Sequence, residues 1–229
     1  MTATIAVLGA GAINGAVADD QGFFTRTQSG TLLVADRDLD RATAVADRVG
    51  GTAVAVDVTR PEELAAFLGR ADVVANGIGP FYRFGRTVID AAVEAGVHYV
   101  DVCDEYDVAA QVLHDEALDA RARDVTVLTG CGASPGLTTV AGRWAAEALD
   151  EVDALDLYIG VPTMPAFGVT INEHMLHSLS GDVLQVLDGR PRSVPAWSGT
   201  ERQELPGGLG AHDFGYLGDP EPLAWKHSM

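Results

Sequence analysis

Short apolar segments alternate with helix-like stretches through the first 150 residues, and this alternation limits the fold more than any other feature of the chain. The apolar segments read as strands at Thr4–Leu8, Thr31–Asp36, Ala53–Val58, Asp72–Asn76, Tyr99–Val102 and Val125–Thr129. Buried strands joined by long helical crossovers pair in parallel, and right-handed crossovers on both faces give a doubly wound α/β sheet. The connecting segments carry helix signals of their own. Thr59-Arg60-Pro61-Glu62 has the form of a capping box, with Gly69 ending that helix. Gly96 ends another over Arg86–Ala95, in which Val88, Ala92 and Val93 share a face.

Ligands of such a sheet lie at the carboxyl ends of its strands. There the unusual residues collect: Gly9-Ala10-Gly11, Asp36-Arg37, Asp57, Asn76-Gly77-Ile78-Gly79-Pro80 and Asp101-Val102-Cys103-Asp104-Glu105. Gly9 suits a tight turn, and Gly11 lets backbone approach a pyrophosphate at a helix N-terminus. The third position of G-x-G-x-x-G holds Asn14, with Gly15 following. That third glycine serves helix–strand packing, so Asn14 bears on packing more than on phosphate. Asp36 ends the second strand roughly 25 positions beyond Gly11, where an acid can hold a ribose diol. Strand, turn, helix and acid together point to dinucleotide binding. Asp36 favours the 2′-hydroxyl of NAD, whereas Arg37 could pair with the 2′-phosphate of NADP if Asp36 turns aside. Both cofactors stay open.

The chain of 229 residues can hold one large domain, or one complete domain and part of another. A net charge of -18 argues against a nucleic-acid partner, and Lys226 is the only lysine. Cys103 and Cys131 each fall near a strand end and form neither a disulfide framework nor a metal-type spacing. No leader-like segment and no apolar run of membrane length occur, so a cytoplasmic protein without a membrane partner is expected. After about residue 150 the rhythm changes. Asp153–Val161 reads as one more strand, and Pro162, Pro165, Pro191, Pro195, Pro206, Pro220 and Pro222 punctuate the rest. The expected division is a nucleotide domain over residues 1–130 and an incomplete α+β domain over 131–229.

Gly132-Ala133-Ser134-Pro135-Gly136 matches the G-x-S-x-G of a nucleophile elbow. The residue after the serine must donate its N–H to an oxyanion, and Pro135 has none, which excludes a hydrolase. Ser134 is expected instead as N-cap with Pro135 at the first helical position, before an apolar face of Leu137, Val140, Ala141, Trp144 and Ala148. His174 and His177 lack the i,i+4 spacing of a helical zinc pair and a third ligand, so surface or capping roles are expected.

With these residues assembled, the chain resembles the saccharopine dehydrogenase-like family, in particular its Rossmann NAD(P)-binding domain. The resemblance rests on Val7 to Gly11, Val34 to Arg37, Val56 to Val58, Asn76 to Phe81, Tyr99 to Asp101 with Glu105, and Gly132 to Gly136. It implies an oxidoreductase moving hydride between nicotinamide and a C–N bond of an amino-acid-derived amine or imine, with NADP slightly favoured. It places pyrophosphate at Gly9, Gly11, Ala12 and Ile13, and adenosine at Asp36, Arg37 and Asp57. Nicotinamide falls at Asn76, Gly77, Gly79 and Pro80, with Tyr99, Asp101 and Glu105 toward the reacting end. A carboxylate there could hold a substrate ammonium or relay a proton, while Asp101 serves equally as a helix cap. Family members usually continue through a larger second domain, so truncation is expected. A non-catalytic nucleotide-binding or regulatory module, as a homodimer in one arrangement, is the alternative.

Overall fold

In a computed structural model the described residues are 3–11, 13–15, 30–113, 117–160 and 169–228. The chain divides into two compact units, one of Met1–Cys103 with Gln111–Cys131, the other of Asp104–Ala110 with Gly132–Met229.

The first unit holds one parallel sheet of β1 (Thr4–Leu8), β2 (Thr31–Asp36), β3 (Thr52–Ala55), β4 (Val73–Asn76), β5 (His98–Asp101) and β6 (Val127–Leu128). Its order, β3-β2-β1-β4-β5-β6, reverses direction between β1 and β4, which creates a crevice at their carboxyl ends. The helices are α1 (Leu39–Val49), α2 (Pro61–Leu68), α3 (Phe81–Ala95) and α5 (Ala117–Ala122); α4 (Tyr106–Gln111) runs across the division between the units.

Local chemistry explains the boundaries. Asp38 caps α1 by accepting from the Asp40 and Arg41 amides, and Gly50 ends it in the left-handed region at φ 71°. Ala42, Val45 and Ala46, at helical spacing, are buried, and Val45 and Ala46 pack with Val7, Ala10 and Val34. In α3 the expected Val88, Ala92 and Val93 face is buried and Gly96 forms the αL cap. That helix begins five residues before its expected start, because Pro80 presets the backbone and Phe81 and Gly85 extend the buried stripe. The expected capping box at Thr59 is not formed. The Thr59 hydroxyl donates to Asp57 (2.7 Å), and α2 starts after Arg60, with no side-chain cap.

The second unit contains α6 (Leu137–Glu147), α7 (Val169–Ser178), α8 (Glu221–Ser228) and two antiparallel pairs, β7 (Asp182–Leu187) with β8 (Arg190–Pro195), and β9 (Glu201–Leu205) with β10 (Gly210–Phe214). Asp188 and Gly189, at φ 50° and 68°, turn the first hairpin. The expected strand at Asp153–Val161 does not form over residues 153–160, and Val161 lies outside the described residues. Gly136, not Ser134, precedes the first turn of α6. Leu137, Val140 and Trp144 are 71%, 67% and 77% exposed, so the apolar face of α6 points to solvent.

The Ser134 hydroxyl instead donates to Glu221 Oε1 (2.6 Å), as does Thr138. Glu221 is buried. Burial opposes its charge, but hydrogen bonds from Asp219, Ser134 and Thr138 hold its carboxyl below the ordinary value. Asp219 shows the converse. Burial, the bond to Glu221 and the charges of Glu221 and Asp104 push it up to about 10. The two carboxyls are thus shifted in opposite senses. A folded-state value above the unfolded one gives stabilisation that is full below the unfolded value and is lost as pH rises toward the folded one. The thermal midpoint of the second unit is thus expected to fall between about pH 5 and pH 9, and Asp219→Asn, which keeps a donor toward Glu221, should flatten that decline. Parallel melts of both proteins across the range check this. An equal slope in the variant would place the titration elsewhere.

Candidate functional site

At the end of β1 the chain turns sharply. Gly9 has φ 99°, and a Cβ there would lie 3.0 Å from Ile78 Cγ1 and 3.2 Å from the Gly77 carbonyl, so no larger residue fits. Its amide donates to the Ala35 carbonyl, and the Gly77 amide donates to that of Leu8. These bonds continue the sheet pairing past the strand ends. Gly15 N donates to Gly11 O at 2.8 Å, which closes the first helical bond after the turn. Among the described residues, a Cβ on Gly11 would meet nothing within 4 Å. Ile13 is exposed, whereas Ala12 and residues 16–29 lie outside the described residues.

Asn14 occupies the room that a third glycine would have vacated. Its amide nitrogen donates to the Leu8 carbonyl (3.2 Å), and its side chain rests on the Cα of Gly77. A Cβ on Gly77 would stand 2.4–2.5 Å from that amide. The glycine missing from the helix is therefore supplied by the β4 loop, and the Asn14 amide is spent on Leu8.

Asp36, at the end of β2, is held by backbone. Oδ2 accepts from the Ala10 amide (2.8 Å) and Oδ1 from the Asp38 amide (2.9 Å). Arg37 beside it is exposed. Asp57 accepts from the Thr59 hydroxyl and amide, which, with Arg60 and Arg37, hold its carboxyl below the ordinary value.

Asn76, Tyr99 and Asp101 form a buried chain at the ends of β4 and β5. Asn76 Nδ2 donates to the Tyr99 hydroxyl (2.9 Å), and that hydroxyl donates to Asp101 Oδ2 (2.7 Å). Asp101 Oδ1 accepts from the Cys103 amide, the Thr129 hydroxyl and the Gly130 amide at 2.8–3.0 Å. Burial raises the Asp101 carboxyl above its ordinary value against these four bonds. Burial and the Asp101 charge lift the Tyr99 phenol well above its own. Asn76 Oδ1 accepts from Ile78 N, shaping the loop that carries Gly77, Gly79 and the buried Pro80.

In the second unit Glu105, fully buried, approaches His174 Nδ1 at 3.4 Å, while His174 Nε2 lies 3.2 Å from Asp104 Oδ2. Burial works against a charged imidazole, but Glu105 and Asp104 outweigh it and raise its affinity for a proton. The expected surface or capping role does not describe His174, which is 17% exposed. Its partners stand about seventy residues earlier, and no local spacing could have found them. His177 stacks on Tyr106 and pairs with Asp107.

Glycine turn, helix start and β2 acid meet where the strand order reverses. This is a dinucleotide-binding Rossmann domain. Residues 5–128 match the family described as Saccharopine dehydrogenase NADP binding domain, and the chain belongs to that family. The domain therefore takes NAD(P), with NADP favoured. The chain is similar in fold to apo saccharopine dehydrogenase (L-Glu forming) from Saccharomyces cerevisiae. The TM-score is 0.58 at 18% identity, over 91% of this chain and 48% of that one. Among curated proteins it resembles a trans-acting enoyl reductase of Mycobacterium ulcerans, 29% identical over 115 residues, covering 47% of this chain and 27% of that protein. A Mycobacterium bovis protein of the same name is 28% identical over 109 residues, 44% of this chain and 25% of its own length. The matched stretch thus spans about a quarter of these curated relatives. Among the described residues, no helix is long and apolar enough to cross a membrane.

Proposed function

We propose that the chain is the nucleotide-binding part of an NADP-preferring oxidoreductase acting on the C–N bond of an amino-acid-derived amine or imine. The arrangement of Asp36 carries the cofactor preference: both carboxylate oxygens accept backbone amides, and the exposed Arg37 is left to meet the adenosine ribose. Bound at this site, the nicotinamide supplies a hydride. The chain's own residues bind and orient. Gly9 makes the turn, Gly11 and Ile13 border the pyrophosphate, and Asp57 lies on the adenosine side. Asn76, Gly77, Gly79 and Pro80 form the loop beside the nicotinamide.

Tyr99 and Asp101, buried and fully engaged with protein groups, act as positioning residues that hold the β4 and β5 ends in register. Glu105 contributes charge to its cluster with Asp104 and His174. The C–N assignment follows the family resemblance. Reduction of an enoyl group is the second reading, favoured by the names of the curated relatives. NADPH consumption with paired 2-oxo acids and amines, set against enoyl thioesters, separates the two.

Arg37→Ala should weaken NADPH roughly tenfold, the worth of one charge-assisted contact, and change NADH less than about twofold. Titration calorimetry with both coenzymes checks it. Equal losses for the two would remove the 2′-phosphate from Arg37.

A further inference from the structure

We infer that Asp104, Glu105 and His174 form a binding site for a divalent transition-metal ion of the zinc type. The three side chains each offer one ligand atom, and these atoms lie within 4.8 Å of one another; among the described residues this is the group with that property. The donors are two carboxylate oxygens and one imidazole nitrogen. Imidazole with carboxylate suits Zn²⁺, Mn²⁺ or Fe²⁺, whereas an all-oxygen set would suit Mg²⁺ or Ca²⁺. His174 Nε2 stands 3.2 Å from Asp104 Oδ2, close to the spacing of two ligands around an ion with bonds near 2.0–2.2 Å.

Two features of the surroundings favour a built site over a chance meeting of surface charges. Glu105 is fully buried and the His174 side chain is 17% exposed, while Asp104 keeps about a third of its side chain exposed. The set also combines two carboxylates with one imidazole, a donor mix that a divalent transition-metal ion takes. A further carboxyl, Asp219, lies close enough to Asp104 to feel its charge. Three protein ligands leave an open coordination position for water or a small anion, as in zinc sites that exchange ligands.

Chelator-treated protein should bind one equivalent of Co²⁺ with the visible absorption of a four- or five-coordinate ion, and Zn²⁺ should displace it. His174→Ala and Glu105→Gln should each weaken Co²⁺ at least tenfold, with circular dichroism confirming the fold. His227→Ala, at an exposed position near the end of α8, should bind as the unaltered chain does. If either cluster variant fails to fold, the diagnostic is Asp104→Asn, at the exposed edge, with the same tenfold loss expected. Absence of a Co²⁺ spectrum in the unaltered chain would overturn the assignment, as would undiminished affinity in the folded cluster variants. None of these readouts depends on NADPH or on turnover, so failure here leaves the dinucleotide assignment standing.

Discussion

Gly11→Ala is expected to leave thermal stability unchanged or slightly raised while weakening NADPH by roughly 10- to 100-fold. The two halves of that result have separate causes. Among the described residues a Cβ at Gly11 meets no atom within 4 Å, so the native state tolerates it, and a less flexible unfolded chain favours folding by a few tenths of a kcal/mol. The same methyl projects into the space that the pyrophosphate would occupy. Overpacking costs about 1–3 kcal/mol, a range that contains the roughly 1.4–2.7 kcal/mol of a 10- to 100-fold loss. Gly77→Ala gives the contrasting pattern. Its Cβ would collide with the Asn14 amide and push it off the Leu8 carbonyl, with a loss of about 1–3 kcal/mol in stability and a weaker NADPH complex together. Adding Asn14→Gly should restore both. Melting curves and calorimetry with NADPH read the set, and wild-type affinity in Gly11→Ala would move the pyrophosphate away from this turn.

The second large effect is expected at Asp101. Asp101→Ala should destabilise the first unit by about 3–5 kcal/mol, since it strands four donors, the buried Tyr99 hydroxyl and Cys103 amide and the half-buried Thr129 hydroxyl and Gly130 amide. Asp101→Asn keeps one carbonyl oxygen for the three donors on Oδ1 and disturbs only the Tyr99 side. Its cost should therefore stay near 1–2 kcal/mol. Tyr99→Phe leaves Asn76 Nδ2 without its acceptor and should fall in the same range. Urea unfolding of the three variants measures the ranking. A loss below about 1 kcal/mol for Asp101→Ala would mean that water satisfies these donors and that the chain of bonds is not a structural anchor.

Much of the first unit was legible because its signals are local. β1 and β2 match their expected ranges, since each is an apolar run bounded by a turn; β3 to β6 are shorter or shifted at their ends, where pairing with a neighbour decides the boundary. Asn14 shows the limit of a motif read in one dimension. Its consequence depends on Gly77, which lies on another strand's loop and carries no mark of that partnership in sequence. The roles of Ser134 and His174 were illegible for the same reason. Their partners, Glu221 and Glu105, stand 87 and 69 positions away. The β7–β8 hairpin, by contrast, carried a readable signal in Asp188-Gly189 between two strand-like runs, obscured by the prolines on its second strand.

The grip of Asp36 on the Ala10 amide has an energetic corollary. Ordering a loop around a ligand costs conformational entropy at the moment of association, and that cost subtracts directly from affinity. Here the glycine turn is fastened to the neighbouring strand by folding itself, so that part of the cost is met before a nucleotide arrives.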